Sequence, residues 1–228
     1  MWVNRLCFDY GHGGEDPGAC YNGRKESNDV LSIGRAVALD IRRHDVTVDE
    51  TRTSDTTVSL NNRSAFENKN TYDYFISFHR NAYKPEKAEG VEVYTCLNAG
   101  VKAKRLAQVV QKSLVSLGFT DRGIKEANYH VLRKTKAPAV LIEIGFIDNS
   151  EDNNLFDSKK NEIIKAISKA ILTELGIVYK EESVSNFSDD KTLYRVMAGS
   201  FSNKKNAEDQ VQKLKAAGFD VTIMRINE

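Results

Sequence analysis

The sequence has almost no net charge: 33 lysines and arginines stand against 32 acidic residues in 228 positions. So balanced a chain sets up no strong global field, which argues against nucleic acid or an acidic lipid face as its partner. The local basic runs, at Arg42 and Arg43, Lys102 to Arg105 and Lys134 to Lys136, are short and read as solvated surface. Cysteine is scarce too. The three present, Cys7, Cys20 and Cys96, are an odd number without CxxC spacing. They form no disulfide framework, and free thiols suit a reducing compartment. Cys7, inside the first strand-like run, reads as a small core residue. Long apolar runs are missing as well, so neither a signal peptide nor a membrane span is expected.

What is present is a 40% apolar composition arranged in alternating segments. Runs rich in β-branched and aromatic residues predict strands at Leu6 to Asp9, Val46 to Val48, Tyr74 to Phe78, Val91 to Thr95 and Ala139 to Ile144, with a weaker one at Tyr129 to Leu132. Helical spacing puts Val30, Ile33, Val37 and Ile41 on one face, and likewise Leu106, Val110 and Leu117, and Ile164, Ile167, Ile171 and Leu175. Such alternation predicts an α/β domain, a mixed, mostly parallel sheet with helices on both faces. The continuous run Val140-Leu141-Ile142 fits a central strand buried on both sides.

The character changes after residue 179. Residues 180–191 are acidic and serine-rich, a linker by composition. Beyond them, residues 192–228 predict a small βαβ unit: a strand at 194–198, a helix from Asn206 to Ala217 with Gly218 as its C-cap, and a strand at 221–226.

Four residues in the larger part carry chemistry. His12 ends the first strand in a glycine-rich turn, and His79 ends the Tyr74 to Phe78 run. Glu26 precedes the Val30 to Ile41 helix, and Glu143 interrupts a strand that is otherwise apolar. Each has a plain structural reading. An acid at a helix start complements the helix dipole on the surface, and a histidine at a strand end is commonly a surface or core residue. Glu143 resists such a reading, because a lone buried carboxylate costs several kcal/mol unless it is paired or near a metal. Sites assemble at the carboxyl ends of strands in open α/β sheets. Two histidines and two glutamates there are the inventory of a catalytic zinc site. Of the other histidines, His44 at a helix end reads as surface, and His130, beside Tyr129 and Val131, could line the cleft but reads rather as a packed strand residue.

The residues around these four are more specific. His-Gly-Gly-Glu-Asp-Pro-Gly-Ala from His12 to Ala19 resembles the opening motif of the zinc-dependent N-acetylmuramoyl-L-alanine amidases of the AmiC/CwlC-like family. Further motifs follow in the same order: Thr51-Arg52, Leu60-Asn61-Asn62-Arg63, Ser77 to Ala82, Gly90 to Tyr94 and Pro138 to Asn149. The likeness spans roughly residues 4–176. It implies zinc held by His12, Glu26 and His79, with Glu143 as the catalytic acid and base. The activity it implies is hydrolysis of the amide between N-acetylmuramic acid and L-alanine in peptidoglycan. The alternatives are a zinc peptidase acting within the stem peptide and a wall-binding module without catalysis. Tyr10 and Arg80 depart from the family's habit, neither at a ligand position. Arg80 and Asn81, just after His79, are expected to contact substrate, Arg80 through stem-peptide carboxylates.

The tail resembles half of a SPOR domain, the glycan-binding module of cell-wall proteins, in Tyr194-Arg195-Val196, Gly199 to Asn203, Asn206-Ala207 and Leu214 to Gly218. A unit of this size rarely holds a core alone. Residues 192–228 are therefore expected to pair with a second copy as a homodimer. With no leader expected, the chain would be made in the cytoplasm and reach the wall after release, through a holin-type pore or by mother-cell lysis.

Overall fold

Runs of β-branched and aromatic residues become strands because a pleated backbone sends successive side chains to opposite faces, and here both faces find partners. In a computed structural model describing residues 3–181, 199, 201–216, 221 and 223, the strands are β1 (Arg5–Tyr10), β2 (Cys20–Tyr21), β3 (Arg24–Lys25), β4 (Thr47–Glu50), β5 (Tyr74–Asn81), β6 (Val91–Thr95), β7 (Asp121–Glu126) and β8 (Ala139–Phe146). The helices are α1 (Glu26–Arg42), α2 (Leu60–Glu67), α3 (Val101–Val115), α4 (His130–Arg133), α5 (Ser150–Ser158), α6 (Lys160–Glu174) and α7 (Lys204–Ala216). Six strands form one sheet in the order β4-β1-β5-β8-β6-β7, and β2 pairs with β3 apart from it. Every neighbouring pair in the sheet is parallel except β6 against β8. This is the mixed, mostly parallel sheet that the alternation predicts.

The two faces are unequal. Leu6, Phe8, Ile76, Phe78, Val140 and Ile142 join Val30, Ile33, Val37 and Ile41 of α1, Leu106 and Val110 of α3, and Ile167 and Ile171 of α6 in the larger core. Each fully buried side chain of this kind contributes about 1.5–3 kcal/mol. The helical faces read from spacing are largely the buried ones, except that Leu117 and Leu175 lie beyond the ends of α3 and α6 and that they and Ile164 are only half-buried. Cys7, Phe75 and Leu141 turn the other way, onto Val131 and Leu132 of α4, with Phe66 of α2 beside them. That second layer is small. It leaves the opposite end of the same sheet face to polar residues.

Some local readings fail. Tyr129 to Leu132 is not a strand: Tyr129 caps α4, and Val131 and Leu132 bury from one helical turn. His44 is not a surface residue. It is 4% exposed, its Nε2 accepts the Lys180 N–H at 2.8 Å, and its ring lies 4.9 Å from that of Tyr179. These contacts fasten the chain after α6 to the end of α1. The packed unit accordingly runs to Glu181, and a second compact unit covers 182–228. Helix α7 lies in that second unit, close to its expected bounds. The linker from 182 on, the strands expected at 194–198 and 221–226 (Val221 and Ile223 apart), and the pairing of two copies built on them lie outside the described residues. Among the described residues no helix is long and apolar enough to cross a membrane.

A buried ion pair ties the polar end of the sheet together. Asp9, 1% exposed, accepts from Arg63 at 2.8 Å, from Thr51 Oγ1 at 2.7 Å and from Ser77 Oγ at 2.7 Å. Burial opposes ionisation of Asp9, but the Arg63 guanidinium and these hydrogen bonds outweigh it and hold the carboxyl below its usual range. The stabilisation is therefore fully present above the ordinary value of 3.8 and is lost only as pH falls from there through the lower folded value. Removing one partner of such a pair strands a buried charge. Arg63→Ala is expected to lose about 3–5 kcal/mol in urea unfolding at neutral pH. A loss below about 1 kcal/mol would mean that Asp9 is solvated rather than held by Arg63.

Candidate metal centre and active site

Three chain segments meet at the carboxyl ends of β1 and β5. The first is the turn after β1, which carries His12 in a left-handed conformation with φ of 60°. A non-glycine residue keeps that conformation only where its surroundings impose it. Here two buried arginines do so. Arg63 donates to the carbonyls of Tyr10 and His12, both at 2.6 Å, and Arg52 donates to those of Tyr10 and Gly11, both at 2.9 Å. The second segment is the first turn of α1, whose Glu26 is buried at 4% exposure. This is no surface residue complementing a dipole. The third is the end of β5 with His79.

Glu26 joins the three. Its Oε2 lies 3.1 Å from His12 Nε2 and its Oε1 lies 2.9 Å from His79 Nδ1. The same oxygens accept the backbone N–H groups of Ala19 at 3.0 Å and Arg80 at 3.1 Å. Asp16 Oδ2 holds the far nitrogen of His12, Nδ1, at 2.8 Å, which turns Nε2 toward Glu26. Burial works against charge on His12, but Glu26 and Asp16 outweigh it and raise its pKa to about 9. His79 is likewise raised, its burial overcome by Glu26 and Glu143. Burial pushes Glu26 upward, yet the two histidines hold it well below the usual carboxylate range. One ligand atom from each of His12, Glu26 and His79 lies within 4.8 Å of the other two. Two imidazoles and a carboxylate, gathered around one point, could hold a divalent metal ion with a coordination position left open.

Glu143 stands in β8 in register with His79 on β5. Its Oε2 is buried and has no hydrogen-bond partner, and burial raises its pKa to about 7 against the pull of His79. An unpartnered buried carboxylate oxygen beside a cluster of metal-type donors calls for a proton or a reacting group.

The comparisons with known proteins agree with this geometry. The sequence profile described as N-acetylmuramoyl-L-alanine amidase matches residues 6–173. The chain belongs to the N-acetylmuramoyl-L-alanine amidase family. It is 33% identical over 223 residues to a sporulation-specific N-acetylmuramoyl-L-alanine amidase of Bacillus subtilis, covering 96% of this chain and 84% of that protein. It is 35% identical over 193 residues to the endolysin of Bacillus phage SPP1, covering 81% and 70%. An N-acetylmuramoyl-L-alanine amidase structure from Clostridium difficile superposes with a TM-score of 0.73 at 32% identity, covering 76% of this chain and 97% of that one. The SPOR domain profile matches residues 168–225. Its start falls within α6, whose Ile171 and Leu172 are buried in the first unit.

Within this amidase the two expected substrate contacts part ways. Asn81 borders a cavity beside the site. Arg80 does not reach the cleft: its side chain is 0% exposed, on the larger core's side of the sheet. It donates to Asp29 at 2.8 Å and to the carbonyls of Ile144 at 3.0 Å and Phe146 at 3.2 Å, with its guanidinium 4.3 Å from the Phe156 ring centroid. Alternation along β5 explains this, since Arg80 faces away from His79 and Asn81. The sequence reading assigned no role to Asp16, although its position four residues after His12 is a usable signal. It also missed Glu92, which stands in register with Glu143 from β6.

Gly11 makes room for the centre. A Cβ there would lie 2.3 Å from His79 Cε1. Gly11→Ala is expected to displace the His79 ring and weaken divalent-metal binding about 10–100-fold, the scale on which disturbed ligand orientation acts. Competitive titration against a chelating dye measures it, and unchanged affinity would show that the ring has room to move without loss.

Proposed function

We propose that this amidase is zinc-dependent, with His12, Glu26 and His79 holding the ion and Glu143 serving as general base and then general acid. The reaction is hydrolysis of the amide between N-acetylmuramic acid and L-alanine in peptidoglycan. The observation that carries the reading is the unpartnered, buried Glu143 oxygen on the strand next to His79. The donor set of two imidazoles and one carboxylate matches that of catalytic zinc sites. Bound zinc supplies polarisation of the scissile carbonyl and a lowered pKa for the attacking water. Glu143 takes a proton from that water and delivers it to the leaving nitrogen of L-alanine. Asp16 orients His12, Arg52 and Arg63 fix the loop that presents it, and Glu26 holds the two imidazoles toward each other.

For the tail, the SPOR match supports attachment to the cell wall. It gives no support to pairing between two copies, so the homodimer forms no part of the proposed function. The place of action is the bacterial wall. A sporulation-specific amidase and a phage endolysin stand among the relatives, which supports mother-cell lysis or a holin-type pore as the route of release.

The proposal separates two variants. Glu143→Ala keeps its zinc, measured by elemental analysis, and loses about 10²–10⁴-fold in turnover on purified walls. His79→Ala loses both zinc and turnover, as does the wild type after chelation. Near-normal wall lysis by Glu143→Ala would remove the role given to Glu143. Mass analysis of released fragments should find free L-alanine amino termini, whereas cuts inside the stem peptide would indicate a peptidase.

A further inference from the structure

Arg80 being enclosed in the fold, the cations open to substrate lie elsewhere. β5, β8 and β6 set His79, Glu143 and Glu92 side by side in register, and on the neighbouring β7 Lys125 stands opposite Tyr94, two residues along β6 from Glu92. Glu92 is 2% exposed, and both its oxygens are engaged. Oε1 accepts from Asn81 Nδ2 at 2.5 Å and the Tyr94 hydroxyl at 2.8 Å, and Oε2 accepts from Arg122 Nε at 3.1 Å and from the Lys125 ammonium. Two cations on one carboxylate leave the group with a net positive charge. Arg122 uses only Nε on Glu92. Its guanidinium lies 4.8 Å from the Phe146 ring centroid, with its Nη1 making a long 3.4 Å contact to the Glu89 carbonyl. The cluster opens on a cavity of about 350 Å³ bordered by Asn81, Tyr83, Lys87, Glu92, Arg122 and Phe146. Lys87 is exposed there and has no ion-pair partner among the described residues.

We propose that this cavity binds an ionised carboxylate one residue beyond the scissile amide, as on a stem peptide with an acidic second residue, and that Arg122 and Lys87 select it over the amidated form. The inference rests on the amidase reading and adds the substrate class to it. The reach is right. A carboxylate on the next residue sits about 6–7 Å from the scissile nitrogen, at about 3.5 Å per residue. Strand β6 is about 5 Å from β8, and Arg122 extends back from β7 to Glu92. The fit of charge is right as well, because a planar guanidinium with unused N–H groups matches a carboxylate, and an amide in its place brings no charge. Glu92 acts as the positioning residue that holds Arg122 and Asn81 at the cavity wall.

The test uses the zinc-loaded full chain and two soluble muramoyl-peptides, identical except that the second residue's carboxyl is free in one and amidated in the other. The wild type should cleave the free acid with the lower KM. Arg122→Gln and Lys87→Gln should each raise KM for the free acid roughly 10-fold or more, the scale of a lost charge-assisted hydrogen bond, with little change in kcat, and so abolish the preference. Lys87 is at the surface, so its variant reads specificity even if Arg122→Gln unfolds. Arg122→Lys should restore part of the preference. A wild type that cleaves both peptides with equal KM, or variants that lose both alike, overturns the subsite while leaving the amidase reading intact. A wild type that cleaves neither peptide nor purified wall overturns both.

Discussion

Everything at this site turns on one buried carboxylate. Glu26 stands at the first turn of α1, where the helix dipole favours its negative charge, and it faces a histidine from each of two strand ends. Without it two imidazoles whose ring centroids are 5.2 Å apart would meet in a partly buried pocket with no shared carboxylate between them, only Asp16 on the far side of His12 and Glu143 near His79. With it, the three side chains form a preorganised cluster of donors. Its two further backbone hydrogen bonds, to the segment before α1 and to β5, mean that local fold and site geometry stand or fall together.

The second constraint is the arginine pair behind the β1 turn. Arg52 and Arg63 come from separate segments, yet both are directed at the carbonyls between Tyr10 and His12. Guanidinium groups suit this task because their donors fan out in a plane and stay charged when buried. Asp9 balances Arg63 from beneath, with Ser77 filling its other oxygen. His12 is thereby kept in a backbone conformation it would not adopt alone. This accounts for the short motifs Thr51-Arg52 and Leu60 to Arg63, which supply no ligand themselves.

Much of this was legible in the sequence because it follows apolar periodicity: the β1, β5, β6 and β8 strands and the buried faces of α1, α3 and α6. The parts that were not legible are held by polar contacts. Helix α2 buries Arg63, Ser64 and Glu67 rather than an apolar stripe, and β7, Asp-Arg-Gly-Ile-Lys-Glu, has a single large apolar residue. Tyr129 to Leu132 is too short for its apolar run to separate strand from helix. In the site, His12, Glu26, His79 and Glu143 could be picked out because their residue types are out of place among their neighbours. Arg80 was misjudged because a charged residue reads as exposed until Phe156, Asp29 and two carbonyls are seen to enclose it. His44 was misjudged for the same reason, since Tyr179 and Lys180, which cover it, lie more than 130 positions away.

The central claim is that His12, Glu26 and His79 hold the catalytic ion while Glu143 stands beside it without ligating it. Anomalous diffraction at the zinc absorption edge from crystals of the zinc-loaded protein tests this most directly. The account predicts one ion at this point, with two nitrogens and a carboxylate oxygen as protein ligands at about 2.0–2.2 Å and the Glu143 carboxylate near but unbound. An ion bound elsewhere, or Glu143 replacing one of the three ligands, would contradict it.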